Sequence, residues 1–409
     1  MMHLYDVPLA FALVGLVLYT VLAGADFGAG AWRLLAGRGG VGERIRDHAH
    51  HSMGPVWEAN HVWLIFVLTV MWTAYPAAFG SIASTLSVPL LLAAIGIIVR
   101  GAAYALRTGA QTPRELRAID GVSAISSIVT PFALGAAVGG IASRRVPVGN
   151  ATGQLFSSWL NPTSGLIGGL AIATSAYLAA VYLAADAERI GERELAQAFR
   201  ARALAAGIAA GAVALGGLAV LHADAHPLYR ALIRGSALGA LISSIVAGCL
   251  TLMLVWRRRF EAARYTAALA VAAIIAGWGL AQHPLLLPGL TVAQAAAPHD
   301  TLIAIVVVVI AGGALLFPSL GLLFGLLLSG RLDRDRAQAP SGPTGRALLA
   351  ASAAGLLGRG AAVALVMGVG FLTIAEAPWA HIIGVVSLCA FIVLGFAALA
   401  PTDAGLPED

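Results

Sequence analysis

Long apolar stretches separated by short polar loops make up nearly the whole chain. A helix that crosses a bilayer needs about 20 mostly apolar residues, and eleven stretches reach or approach that length. They cover residues 7–32, 55–79, 81–106, 121–142, 160–185, 203–221, 236–256, 265–282, 301–328, 361–374 and 379–400. The tenth is the shortest, because Arg359 interrupts an apolar stretch that begins at Ala347. The pattern predicts an all-α polytopic membrane protein.

Composition supports this class and excludes several others. The 409 residues are 59% hydrophobic and 11% charged, and the mean hydropathy is +0.86, a balance foreign to water-soluble domains. The excess of basic residues lies in short loops, where it sets topology, so we predict no nucleic-acid partner. The longest connection has about twenty residues, too few for a soluble nucleotide-binding domain.

The arginines indicate the orientation. The chain has no lysine, and 19 of its 25 arginines fall in one set of alternate loops, against four in the other set. Because basic loops stay in the cytoplasm, the amino terminus is predicted to lie outside. The four exceptions are Arg144, Arg145, Arg230 and Arg234.

Three charged residues fall within the first three spans, near their inner ends: Asp26, Glu58 and Arg100. Glu58 lies one helical turn before His61, so the two side chains share a face. A charge facing hydrocarbon would cost about 3 kcal/mol at the bilayer centre, so these groups should face protein or water. They form the candidate functional site.

Structural interpretations compete at each of these positions. Gly24 and Gly28 form a GxxxG pattern, typical of close helix packing, but packing does not explain Asp26 between them. Asp26 and Arg100 form either a structural ion pair or a functional one. His61 could be a haem ligand. We favour a hydrogen-bonding or proton-relay role beside Glu58, because the other histidines of the spans lie at or beyond their outer ends: His222, His226, His283, His299 and His381.

No metal site is predicted. His48, His50 and His51 resemble a metal cluster in the first cytoplasmic loop, but solvated loop histidines are the favoured interpretation. Cys249 and Cys389 lie far apart within apolar stretches, which argues against a disulfide or a zinc site.

Four stretches occur in an order similar to that in subunit II of cytochrome bd quinol oxidases. They are GADFG at residues 24–28, PVWEANHVWL at 55–64, RGAAYALR at 100–107 and WGLAQHP at 278–284. The resemblance covers about residues 1–330. It implies two four-helix transmembrane bundles, residues 1–143 and 144–283, plus a peripheral ninth span within residues 284–330. Residues 331–409 would then be a C-terminal extension with one or two extra spans.

The resemblance also implies a function. Subunit II would bind no haem, with haems b and d and the quinol site on a homologous subunit I and quinone as a further candidate ligand. The complex, in the bacterial cytoplasmic membrane, would oxidise quinol, reduce oxygen to water and draw protons from the cytoplasm. Glu58 matches the acid of the family's proton intake route, usually Asp, while Asp26 and Arg100 match charged positions near it. The hypothesis is a proton pathway of Glu58, Asp26, Arg100 and His61.

The chain departs from the family pattern at three places. The family often has acids at the positions of His61 and Ala105, and the usual nine-helix subunit lacks the tail after Leu328. Two other functions stay open: a secondary transporter built from two four-span repeats, and a purely structural assembly subunit. The transporter is less favoured because the charges lie near one face rather than at the midplane.

Overall fold

The computed structural model describes residues 3–37, 39–53, 57–107, 112–328, 345–373 and 378–399. The chain divides into two compact units, Met1–Ala314 and Leu315–Asp409, which we call unit 1 and unit 2. The division into two four-helix bundles within unit 1 stays a prediction.

Helices dominate the described residues. The α-helices are α1 Val7–Leu34, α2 Gly40–Met53, α3 Trp57–Ala74, α4 Pro76–Thr85, α5 Ser87–Arg107, α6 Pro113–Ala142, α7 Pro162–Arg189, α8 Arg193–Asp224, α9 His226–Arg234, α10 Leu238–Trp256, α11 Phe260–Gln282, α12 Val292–Ala295, α13 His299–Leu328, α14 Gly345–Thr373 and α15 Pro378–Leu399. A 3₁₀ turn covers Leu4–Asp6, and strands β1 Leu285–Leu287 and β2 Leu290–Thr291 form an antiparallel pair.

Eight of these helices are long and apolar enough to cross a membrane, and shorter apolar segments lie at Asn60–Ala74, Leu356–Gly368 and Ile382–Gly395. The prediction of an all-α polytopic membrane protein is confirmed.

Two predicted spans differ from the structure. The stretch 55–79 is interrupted at Tyr75, between α3 and α4. The cause is Pro76, since a residue before proline is pushed out of the helical region; Tyr75 has φ −138° and ψ 60°. The helix that contains the tenth predicted span is longer than that span, because α14 runs through Arg359 without interruption, while its apolar segment, Leu356–Gly368, stays short.

The loop predicted between the first two spans contains the amphipathic helix α2. Ile45, His48, Ala49 and Ser52 recur at helical spacing and face α7, with Ile45 and Ala49 each 1% exposed. His48 is buried, and its Nε2 lies 3.1 Å from the Leu183 carbonyl oxygen. The solvated-loop interpretation is therefore wrong for His48. Within the described residues, no group of three or more histidine, cysteine or acidic side chains could hold a metal ion.

The centre of unit 1 is the contact between α1 and α7. A Cβ atom at Gly28 would overlap the carbonyl oxygen of Ser175 on α7, so only glycine allows this approach. The Trp32 indole N–H donates to the Ala176 carbonyl at 2.8 Å. The GxxxG pattern of α1 thus serves helix packing, as its spacing indicated.

The two ends of unit 1 differ in charge. The arginine-rich end holds α2, the C-terminal ends of α1, α5 and α7, and the α10–α11 turn. The opposite end is capped by the 3₁₀ turn, α4, the β-hairpin and α12, which enclose Tyr75, Leu86, Val146 and Leu287.

Unit 2 contains the end of α13 and the helices α14 and α15. These last two pack along each other, and a Cβ at Gly368 would lie 2.6 Å from the Leu388 side chain. Val366, Ile382 and Val393 are among the apolar side chains that remain exposed in this unit.

Candidate functional site

A buried ion pair between Asp26 of α1 and Arg100 of α5 lies at the centre of the site. Each residue is 1% exposed. Arg100 binds both carboxylate oxygens, with Nη2 at 2.6 Å from Oδ1 and Nε at 3.1 Å from Oδ2. This bidentate geometry is the strongest that an arginine and a carboxylate form.

Arg100 uses its remaining donors on two further groups. Nη2 also donates to the Asp26 carbonyl oxygen at 2.9 Å, and Nη1 donates to Ser127 Oγ on α6. Gly30 makes room for this contact, because a Cβ there would overlap the Ser127 side chain. The guanidinium thus joins α1, α5 and α6.

Two aromatic rings complete the surroundings of Arg100. Its guanidinium carbon lies 5.3 Å from the centre of the Phe27 ring and 5.8 Å from that of Tyr104, within the range of cation–π attraction. Tyr104 therefore links the buried pair to groups nearer the arginine-rich end.

A second ion cluster lies closer to that end. Asp120 of α6 binds both Arg33 of α1 and Arg107 of α5. The Arg33 side chain is 8% exposed, whereas those of Arg107 and Asp120 are 25% and 31% exposed. The same three helices are thus joined by charges at two successive levels.

His50 of α2 lies between this cluster and the buried pair. Its ring stacks on Tyr104 with the centroids 5.6 Å apart and the planes at 21°. Burial, followed by the positive charges of Arg107 and Arg33, lowers the pKa of His50 to about 4. Its ring is therefore neutral at neutral pH. His51, by contrast, is exposed on the same helix.

His61 of α3 faces α1 between two aromatic side chains. Its ring centroid lies 6.2 Å from that of Tyr19 and 6.4 Å from that of Phe27. The charges of Asp26 and Arg100 both act on it. The structure thus brings Asp26, Arg100 and His61 together.

The environment of His61 does not fit a haem held by this chain. Tyr19, Ala23 and Phe27 form one buried cluster on α1, against which Trp63 and Leu64 of α3 pack. An iron-bound imidazole needs room for the macrocycle beyond its ligating nitrogen, and both ring nitrogens of His61 are buried.

Glu58 is the fourth predicted site residue. Its backbone belongs to the first turn of α3, three residues before His61, which agrees with the prediction that it begins a membrane helix. Its side chain lies outside the described residues.

Four site residues were missed by the sequence analysis: Tyr19, Tyr104, Asp120 and Ser127. For Ser127 there was a signal. Ser123, Ser126, Ser127 and Thr130 follow helical spacing in an otherwise apolar stretch, and all four are buried. A hydroxyl stripe of this kind indicates a polar neighbour, which here is Arg100.

Comparisons with known proteins agree on one family. The family model described as "Cytochrome bd terminal oxidase subunit II" matches residues 4–327. A chain of the bd oxidase from Geobacillus thermodenitrificans has a similar fold, with a TM-score of 0.61 and 24% identity, covering 80% of this chain and 99% of that one.

Curated relatives match over shorter stretches. A proposed cytochrome bd menaquinol oxidase subunit II from Bacillus subtilis (strain 168) is 23% identical over 56% of this chain and 67% of its own length. The cytochrome bd ubiquinol oxidase subunit 2 of the same strain is 29% identical, over 33% of this chain and 39% of that protein. The cytochrome bd-I ubiquinol oxidase subunit 2 of Escherichia coli (strain K12) is 28% identical, over 32% and 34%. The matches thus span well under half of the two ubiquinol oxidase subunits.

Proposed function

Because the chain belongs to the cytochrome bd terminal oxidase subunit II family, we propose that it is the haem-free subunit of a quinol:oxygen oxidoreductase. Its partner is a subunit I homologue that carries haems b and d and the quinol site. The complex lies in the bacterial cytoplasmic membrane. The amino terminus of this chain is outside, so the arginine-rich end of unit 1 faces the cytoplasm.

In this complex the chain lines part of the route by which protons enter from the cytoplasm. One observation carries the proposal: a charged cluster, buried among apolar helices, is connected to the arginine-rich end by a series of side-chain contacts. Arg100 contacts Tyr104, Tyr104 stacks on His50, and Arg33 and Arg107 meet at Asp120. Ionisable groups inside a membrane protein are rare and usually mark such routes.

The four predicted residues have different tasks. Both carboxylate oxygens of Asp26 accept hydrogen bonds from Arg100, so this pair supplies fixed charge and orientation. Glu58, at the start of α3, is the group that takes up and releases the proton. His61, one turn further on, receives the field of the ion pair and positions the proton beyond Glu58. The haems of the partner supply electron transfer and oxygen reduction.

Membership in the oxidase family favours this function over a secondary transporter. The remaining alternative is a structural assembly subunit, in which Glu58 has no kinetic role. Glu58→Gln separates these two, because the amide keeps the size and much of the hydrogen bonding of Glu but cannot carry a proton.

The test uses the purified complex with excess quinol. Glu58→Gln should slow oxygen consumption per haem while the haem content stays that of the wild type. Glu58→Asp keeps a carboxylate, matches the family's usual residue and should retain most of the turnover. Wild-type turnover per haem in Glu58→Gln, from neutral to alkaline pH, would falsify the proton-carrier role. If activity falls only in step with the amount of assembled complex, Glu58 is structural.

A further inference from the structure

The polar groups of the first helices extend beyond His61 towards the middle of the membrane. Arg33, Asp26 and Tyr19 follow one another on α1 at intervals of seven residues, or two turns. At 1.5 Å per residue they span about 21 Å along the helix axis. Tyr19 lies near the centre of the 28-residue helix α1. The polar column therefore reaches from the arginine-rich end to about the level of the midplane.

Arg33, Asp26 and Tyr19 form this polar column, and two buried polar atoms lie at its end near the midplane: the Tyr19 hydroxyl and Asn60 Oδ1. Neither atom has a hydrogen-bond partner in the part of the chain that the structure describes. Tyr19 is 5% exposed and Asn60 1% exposed. A buried polar group without a partner costs about 1 to 3 kcal/mol, so proteins normally satisfy such groups with an internal water.

Helix register places the two atoms in the same region. A Cβ at Gly15 of α1 would lie 2.7 Å from the Phe66 ring and 3.0 Å from Val67 Cγ2 of α3. Since the helices are antiparallel with equal rise, Asn60 falls at about the level of residue 22 on α1. That level lies between Tyr19 and Asp26.

The face of α3 agrees with this placement. Asn60 is one turn from Leu64, which packs against the cluster of Tyr19, Ala23 and Phe27, so Asn60 also faces α1. Ala23 is the small residue between the two rings of that cluster.

We propose that Tyr19 and Asn60 form a hydrated relay site that carries protons from the level of Asp26, past His61, to the middle of the membrane. This inference rests on the proposed function and adds the segment of the proton route that lies between Asp26 and the middle of the membrane. Asn60 Oδ1 accepts a hydrogen bond from a water, and the Tyr19 hydroxyl is hydrogen-bonded to the same water network. When a water of this network passes a proton to Tyr19, an O–H bond forms on the Tyr19 oxygen, its original O–H bond breaks, and a water on the far side takes the released proton. Tyr19 is neutral before and after the step.

Tyr19→Phe in the full complex tests the relay, because it removes only the hydroxyl oxygen and keeps the ring that packs beside His61. Oxygen consumption per haem should fall several-fold, the loss should grow as pH rises and protons become scarce, and the solvent deuterium isotope effect should increase. Asn60→Leu, which keeps the size of the side chain but not its acceptor, should show the same three changes.

Tyr177→Phe is the matched control. Tyr177 is a buried tyrosine of α7, 6% exposed, and lies outside the polar column. Its variant should behave as the wild type in turnover, pH profile and isotope effect. An equal loss in Tyr177→Phe would show that the Tyr19 effect is structural and would overturn the relay.

Glu58→Gln, measured in parallel, distinguishes the two proposals. If Glu58→Gln is slow but Tyr19→Phe has the wild-type rate, pH profile and isotope effect, the relay is wrong and the intake function stands. If Glu58→Gln also turns over at the wild-type rate, the intake function itself fails, and the relay fails with it.

Discussion

At the residue scale, Arg100 is the group on which the site depends most. It is a charged side chain with 1% exposure, and the Asp26 carboxylate is its counter-charge. Removing one member of a buried pair leaves the other charge uncompensated, which typically costs about 3 to 5 kcal/mol, whereas removing both is much less costly.

Asp26→Asn should therefore destabilise the complex by about 3 to 5 kcal/mol. The double variant Asp26→Asn/Arg100→Gln has no buried charge at this site and should be more stable than Asp26→Asn alone. Thermal unfolding of the purified complexes measures both effects. A double variant less stable than either single variant would contradict this account of the pair. Turnover per haem in the double variant then shows whether the pair is also functional.

His50 makes the stability of the fold depend on pH. Its pKa of about 4 in the folded protein lies below the ordinary value of 6.5, so the folded state favours the neutral ring. Between these two values the unfolded chain binds a proton that the folded chain does not. The contribution of His50 to stability is therefore complete above about pH 6.5 and decreases as the pH falls towards 4.

His50→Gln should flatten the fall of melting temperature between about pH 6.5 and pH 4, because the amide does not titrate. His51→Gln changes an exposed histidine of the same helix and serves as the control for the substitution itself. The pH dependence of the melting temperature is compared between each variant and the wild type. The contributions of carboxylates that titrate in the same pH range then cancel. An unchanged pH slope in His50→Gln would show that His50 does not contribute.

The sequence indicated which charged residues lie within the spans, but not which residues they pair with. Asp26 and Arg100 stand out as charges within apolar stretches, but they are separated by 74 positions, and hydropathy contains no information on such distant pairing. Tyr104 and Asp120 were missed for a related reason. A tyrosine near a span end and an acid near a helix start are common features, and only the packing of α1, α5 and α6 gives them a role.

At the scale of elements, the contact of α1 with α7 depends on glycine. A Cβ at Gly28 would overlap the Ser175 carbonyl, a backbone atom that cannot rotate away, whereas a Cβ at Gly24 would meet only ordinary contacts at 3.4 to 3.9 Å. Gly28→Ala should therefore separate the helices and sharply reduce the yield of assembled complex. Gly24→Ala is the matched control one turn away and should assemble normally. Equal yields from the two variants would contradict the close approach at Gly28.

The hydropathy pattern predicted where spans lie better than where helices end. The α6 and α8 helices begin at Pro113 and Arg193, about eight to ten residues before the corresponding apolar stretches, because a helix continues into the polar interface once its core is formed. The α3–α4 break could have been read from Pro76. The α2 helix was likewise predictable from the amphipathic spacing that includes Ile45 and Ala49.

At the scale of the whole molecule, the candidate site comes from one part of the chain. The ion pairs and aromatic contacts of the site all come from residues 19–127. The family model ends at residue 327, and the Geobacillus thermodenitrificans chain is matched over 99% of its length by 80% of this one. The C-terminal extension predicted from the sequence, residues 331–409, therefore lies beyond the family match.

Truncation near Gly330, a position outside the described residues, should leave turnover per haem largely intact. The variant keeps every residue of the site and the whole α13 helix, which ends at Leu328, and removes α14 and α15, which pack against each other. A second truncation at Ala295 also removes α13 and is expected to reduce assembly, because Leu302 of that helix packs in the cluster that caps unit 1. The measurement is oxygen consumption with excess quinol, normalised to haem, for each purified complex. If the Gly330 truncation assembles with full haem content but has lost turnover, the extension contributes directly to oxidase function.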